Sequence, residues 1–71
     1  MKVKVVLDTL SDINEFVSLV NRAGRDVSLS DGKGFRVSGS SFLGAIYTME
    51  WSDVYCECED DISFLINKFI V

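Results

Sequence analysis

The sequence contains no histidine and no proline, and only two of its 71 residues are cysteines. Without histidine, the chain lacks the commonest general base, the Ser-His and Cys-His forms of nucleophilic catalysis, and the usual zinc ligand sets. Cys56 and Cys58 would point the same way from a strand but lie roughly 6 to 7 Å apart along it, which is long for a disulfide. We therefore expect reduced core thiols, no metal site, no cofactor and no enzymatic activity.

Positive charge and long apolar runs are also scarce. Eleven acidic residues outnumber seven basic ones, and the net charge is −4. The basic residues are scattered along the chain, which disfavours nucleic-acid binding. No apolar run approaches the ~20 residues that cross a bilayer, and the N-terminal segment has no cleavage pattern of a signal peptide. We predict a single cytoplasmic domain over residues 1–71, not bound to membranes.

The first third of the chain predicts a strand followed by a helix. Residues 2–5 alternate between lysine and valine and lead into two further apolar residues, which places Val3, Val5 and Leu7 on the inner face. Thr9 and Asp12 then have the spacing of a capping box, and Ser11 is a competing N-cap. The helix continues to about Ala23, because apolar residues recur at helical spacing and Gly24 is a natural stop. Its apolar stripe consists of Ile13, Phe16, Val17 and Val20, widened by Leu19.

The middle of the chain predicts a hairpin. Val27 and Leu29 face inward while Ser28 and Ser30 face outward, and residues 31–34 form the turn. The returning strand is short, and we expect Phe35 and Val37 to face the core. Ser40 and Ser41 then cap a short helix from about Phe42 to Tyr47 or Thr48.

The last third predicts a fourth strand over residues 53–59 and a final helix capped by Asp60 and Asp61. We expect Trp51, in the loop before the strand, to close the core edge or to contact a partner. The element order is βαββαβα, which predicts an α+β fold: one four-stranded antiparallel sheet covered on one face by helices, two of them ten residues or longer. The outward strand positions are polar, so the other face stays open to water. Those positions are Lys2, Lys4, Ser28, Ser30, Arg36, Tyr55 and Glu57.

This order, together with local sequence, resembles the HPr family, the phosphocarrier proteins of the bacterial sugar phosphotransferase system. The resemblance spans nearly the whole chain: the helix end 20–23, the segment 25–29, a Gly-Lys turn, and Ser41-Phe42-Leu43-Gly44 followed by apolar residues. It implies an HPr-like open-faced two-layer sandwich. It also implies that Ser41 is the serine that is phosphorylated for regulation in many members.

One departure from the family changes the expected function. Members carry the phosphoryl group on a histidine in a Gly-x-His-Ala-Arg-Pro sequence, and the positions matching the histidine, arginine and proline are Thr9, Ser11 and Asp12. No phosphohistidine can form, and a carboxylate near the place of the arginine would repel a phosphate. We therefore expect an HPr-like regulatory module related to sugar transport, without phosphocarrier activity.

The resemblance implies that the second helix is the protein-docking surface, with Phe42, Leu43, Ile46 and Tyr47 as contact residues. Partners would be phosphotransferase-system or catabolite-regulation proteins, and the chain itself a monomer or weak homodimer. For Ser41, simple N-capping is the alternative interpretation, and Phe42 and Leu43 could instead belong to the core.

The sequence is also compatible with three other functions. The first is a divergent phosphocarrier that uses a non-histidine acceptor such as Asp12. The second is a ferredoxin-like or ACT-type domain for ligand sensing or assembly, which shares the βαββαβ order. The third is a structural subunit that dimerises through Phe42 and Leu43.

Overall fold

A computed structural model describes all 71 residues and contains four strands and three helices. They are β1 (Lys2–Val5), α1 (Leu10–Ala23), β2 (Val27–Ser30), β3 (Arg36–Ser38), α2 (Phe42–Ile46), β4 (Val54–Cys58) and α3 (Ser63–Ile66). A 3₁₀ turn follows α2 at Tyr47–Glu50, and another follows α3 at Asn67–Phe69. The strands form one antiparallel sheet in the order β1-β4-β2-β3. The predicted α+β class and four-stranded antiparallel sheet are confirmed.

Both ends of α1 are formed by the residues that the sequence indicated. The Thr9 hydroxyl accepts a hydrogen bond from the Asp12 amide at 3.0 Å, so Thr9 is the N-cap. Ser11 lies inside the helix and does not compete. The Asp12 carboxylate accepts from the amide of Asp8 at 3.2 Å, one residue before the position that a capping box would use. Gly24 ends the helix in the left-handed conformation, with φ of 66°.

The core lies between the inner face of the sheet and the apolar stripe of α1. Phe16 is fully buried and meets Phe69 edge to face, with 5.8 Å between the ring centroids. Leu29 and Cys56, on the two central strands, are also fully buried. A single cluster of 15 buried apolar residues therefore joins the sheet to the helices.

The outer face of the sheet carries paired charges. Lys4 pairs with Asp53 at 2.9 Å, and Arg36 on the edge strand pairs with Glu57 at 2.7 Å. The predicted polar outer face is confirmed except at Ser30, which is only 5% exposed. Its hydroxyl accepts from the amide of Gly32 at 3.0 Å, so the turn that follows β2 encloses it.

Phe35 does not face the core, contrary to the prediction, because its side chain is 70% exposed. The Asp31 carboxylate accepts from the amides of Lys33 and Phe35 at 2.7 and 3.1 Å, so residues 31–35 form a compact turn and β3 begins only at Arg36. β3 is an edge strand, and α2 meets it at Ser38, whose carbonyl accepts from the amide of Ser41. The end of β3 that carries Phe35 is left uncovered.

The final helix is much shorter than predicted, so only α1 exceeds ten residues. Apolar residues recur at helical spacing in this segment, and three of them, Ile62, Ile66 and Phe69, are buried. The chain nevertheless leaves the helix because its last residues pair with β1. The amide of Val6 donates to the carbonyl of Phe69 at 2.8 Å, and the amide of Val71 donates to the carbonyl of Lys4 at 3.1 Å.

Two substitutions in α1 compare its buried and exposed faces. Ile13 is fully buried and Leu10 is 57% exposed, although they lie three residues apart. Ile13→Ala should lower the free energy of unfolding by about 2 to 5 kcal/mol, because it leaves a cavity in the core. Leu10→Ala should change it by less than about 0.5 kcal/mol. Urea unfolding measures both; equal losses would contradict the packing of α1.

Candidate functional site

Ser41 is the N-cap of α2. Its hydroxyl accepts from the amide of Gly44 at 3.1 Å, and the side chain is exposed. Ser40, the competing cap in the sequence, instead shares a 2.9 Å hydrogen bond with the Ser38 hydroxyl. Ser41 therefore both begins the helix and presents its hydroxyl at the molecular surface.

Three large side chains on and just after α2 lie exposed beside that serine. Phe42 is 41% exposed, Leu43 is 70% exposed and Tyr47 is 61% exposed. We call these three residues the α2 surface. Ala45, on the side of the helix opposite Leu43, is fully buried, and Ile46 packs against the core. Ile46 is thus the one expected contact residue whose side chain contributes mainly to the fold.

The residues that match the lost phosphohistidine site lie elsewhere. Thr9, Ser11 and Asp12 occupy the N-terminal turn of α1. The Asn21 amide group, near the other end of α1, donates to the carbonyl of Ser40 at 3.0 Å and so holds the start of α2 there. Twelve residues of helix separate Thr9 from Asn21, which corresponds to about 18 Å along the axis. The structure therefore does not bring Thr9 and Ser41 together around one phosphate position.

A cleft of about 180 Å³ lies where the segment after β1 meets the segment between α2 and β4. Thr48, Met49 and Trp51 line it from one side, and residues 4–8 line it from the other. This cleft was not predictable from the sequence, because its walls come from separated segments without a shared motif. Trp51 is half-buried and packs against the core at this edge, as one of its two predicted roles requires.

The remaining candidate groups offer no reactive centre. Both cysteines are free and buried, and burial together with nearby Cys58 and Glu57 raises the pKa of Cys56 to about 12. A neutral, buried thiol is a poor nucleophile.

Hydrogen bonds from Ser63 lower the pKa of Asp61. No group of three or more His, Cys, Asp or Glu side chains is placed to hold a metal ion. None of the helices has the length and apolar character needed to cross a membrane.

The adjacent serines provide a test of the capping geometry. Ser41→Ala should lower the free energy of unfolding by about 1 kcal/mol, because the amide of Gly44 loses its acceptor. Ser40→Ala should cost less than about 0.5 kcal/mol, since the Ser40 hydroxyl contacts only another exposed serine. Thermal or urea unfolding of the two variants measures the difference; a larger loss in Ser40→Ala would show that the cap is assigned to the wrong serine.

Comparisons with known proteins leave the family of this chain undetermined. No protein-family model, no curated protein and no solved structure matches it. Its function is therefore inferred from its own exposed residues.

Proposed function

We propose that this chain is a non-enzymatic, HPr-like docking module of the cytoplasm that binds a protein partner through the α2 surface. Phosphorylation of Ser41 would switch that binding on or off. The expected partners are proteins of the phosphotransferase system or of catabolite regulation. The proposal depends above all on the exposure of Phe42, Leu43 and Tyr47 around one short helix.

The α2 surface has the composition of a protein-binding site. Aromatic residues such as tyrosine are enriched among the residues that dominate binding energy, and contiguous exposed apolar side chains mark interaction sites on soluble proteins. Here Phe42 and Leu43 are adjacent, and Ala45 and Ile46 anchor the helix to the core. A partner can therefore cover the exposed side chains without rearranging the fold.

Ser41 is accessible to a kinase and lies directly before two of the proposed contact residues. A phosphate adds about 1.5 to 2 negative charges, which would repel an acidic partner or recruit an arginine of a regulatory protein. The hydroxyl oxygen already accepts from the amide of Gly44, and a phosphate there would stay beside the positive end of the helix dipole.

The sheet favours an HPr-like domain over the ferredoxin-like alternative. A ferredoxin-like sheet places its first and third strands side by side at the centre. In this chain β1 is an outer strand that pairs with β4, and β2 and β4 form the central pair. The helix α2 between β3 and β4 is also short and ends in a 3₁₀ turn. At the start of α1, the Thr9 hydroxyl and the Asp12 carboxylate accept capping hydrogen bonds, a structural role that accounts for both residues without phosphocarrier chemistry.

Two exposed apolar residues on different helices test the docking surface. Leu43 on α2 is 70% exposed and Phe64 on α3 is 77% exposed. With the protein immobilised and source-cell extract passed over it, Leu43→Ser should reduce the captured partner at least about fivefold, as for a hot-spot residue. Phe64→Ser should leave capture unchanged. Quantitative mass spectrometry compares the variants; equal capture by wild type and Leu43→Ser would refute docking through α2.

Phosphorylation is tested with a bifunctional HPr kinase and localisation of the phosphate by mass spectrometry. We expect one phosphate on Ser41, retained in Ser40→Ala and absent from Ser41→Ala. An unmodified Ser41, under conditions that label an ordinary HPr, would overturn the proposed switch. Acid-labile phosphate after treatment with enzyme I and phosphoenolpyruvate would support a divergent carrier instead, and we expect none.

A further inference from the structure

The cleft beside α2 differs from the two other concave sites on the molecule because six of its eleven lining residues are apolar, against two of seven and one of six. Val6 and Met49 line it while each remains 42% exposed, and Trp51 forms part of the same wall. The Thr48 hydroxyl, also in the lining, is already used, since it donates to the carbonyl of Ala45 at 2.7 Å. The other two clefts are lined mainly by charged and polar residues. This cleft therefore suits an apolar group.

Its size limits the occupant to about one side chain. Sites for cofactors and drug-sized molecules typically measure about 300 to 1,000 Å³. This cleft measures about 180 Å³. An apolar cavity of about 150 Å³ is known to accept a benzene-sized group. A leucine, methionine or phenylalanine side chain from another molecule has the matching volume.

The charges around the cleft are predominantly negative. Asp8 and Asp53 line it, and Glu50 follows Met49 and is exposed. The one cation in the lining is Lys4, which is already paired with Asp53 at 2.9 Å. Asp8 and Glu50 take part in no ion pair. An occupant that brings positive charge would compensate two carboxylates that the fold leaves unpaired.

We infer that this cleft binds a basic segment of a partner protein, in which one large apolar side chain enters between Met49 and Trp51 while flanking Lys or Arg residues approach Asp8 and Glu50. The inference rests on the proposed docking function, since the 3₁₀ turn Tyr47–Glu50 leads directly from the α2 surface to the cleft. The inference specifies which kind of partner segment the docking module binds: a basic one with a large apolar side chain.

The negative charge also disfavours two other possible occupants of this cleft, a second copy of the chain and a membrane surface. A second copy of the chain bound about a two-fold axis would bring the same carboxylates, Asp8 and Glu50, together across the interface. An anionic membrane surface would repel a protein whose net charge is −4. A cationic peptide meets neither obstacle.

The test uses three capped peptides and the ¹⁵N-labelled full chain followed by NMR. The basic peptide Lys-Lys-Leu-Lys-Lys should shift the amide signals of Val6 and Met49 and the indole signal of Trp51 saturably. Replacing its leucine with serine should weaken binding about tenfold, because the buried apolar side chain is lost. The acidic peptide Glu-Glu-Leu-Glu-Glu should not bind. Raising the salt concentration should weaken the basic peptide's binding.

Variants with exposed, unpaired carboxylates separate a local site from diffuse attraction. Asp8→Asn and Glu50→Gln should each weaken the basic peptide about threefold, within the range for exposed charge pairs. Glu59→Gln, which removes an equally exposed and unpaired carboxylate at a different cleft, should change binding less than twofold.

Several results would overturn the inference. One is that the serine peptide or the acidic peptide binds as tightly as the basic leucine peptide. Another is that Glu59→Gln weakens the basic peptide as much as Asp8→Asn or Glu50→Gln does. A third is that the same NMR signals shift with protein concentration in the absence of peptide, which would indicate binding of a second copy. If the peptides fail while Leu43→Ser still abolishes capture of the partner, the basic segment is refuted and the proposed docking function stands. If Leu43→Ser has no effect on capture, the docking function fails independently of the peptides.

Discussion

The fold depends on burying the apolar side chains of α1, above all Phe16 and Ile13, against a sheet only four strands wide. Leu29 and Cys56 on the central pair of strands provide the apolar partners, and Phe69 closes the contact from the C-terminal segment. A chain of 71 residues has too little surface to bury for a second such contact. The placement of α2, and with it the exposed surface, follows from this packing, since Asn21 of α1 anchors the start of α2.

The elements that the sequence predicted correctly are those with local signals. The Thr9 cap and the Gly24 stop of α1, and the alternation of β4, depend on neighbours within a few residues. The errors arose where distant segments compete. Phe35 has the right alternation for the core, but nothing covers that end of an edge strand. The final helix has the right apolar spacing, but pairing of its last residues with β1 shortens it.

Some features of the candidate site were likewise predictable from local sequence, and others were not. The Ser41 cap and the apolar residues after it were visible in the sequence because they are adjacent, and only the structure could show that Phe42 and Leu43 are exposed. The cleft was not predictable, because Asp8 and Trp51 are far apart in the chain and share no motif. The separation of Ser41 from the start of α1 also depends on helix direction, which residue patterns do not encode.

The C-terminal segment has a consequence for association between molecules. Ile70 bridges to Val5, and the neighbouring backbone bonds cover the Lys4 end of the outer side of β1, so β3 is the strand whose outer edge is unpaired along its whole length. Edge-to-edge pairing through β3 would join two molecules and then leave no free strand for a third. Such pairing would therefore end at two chains and would not continue into a fibre.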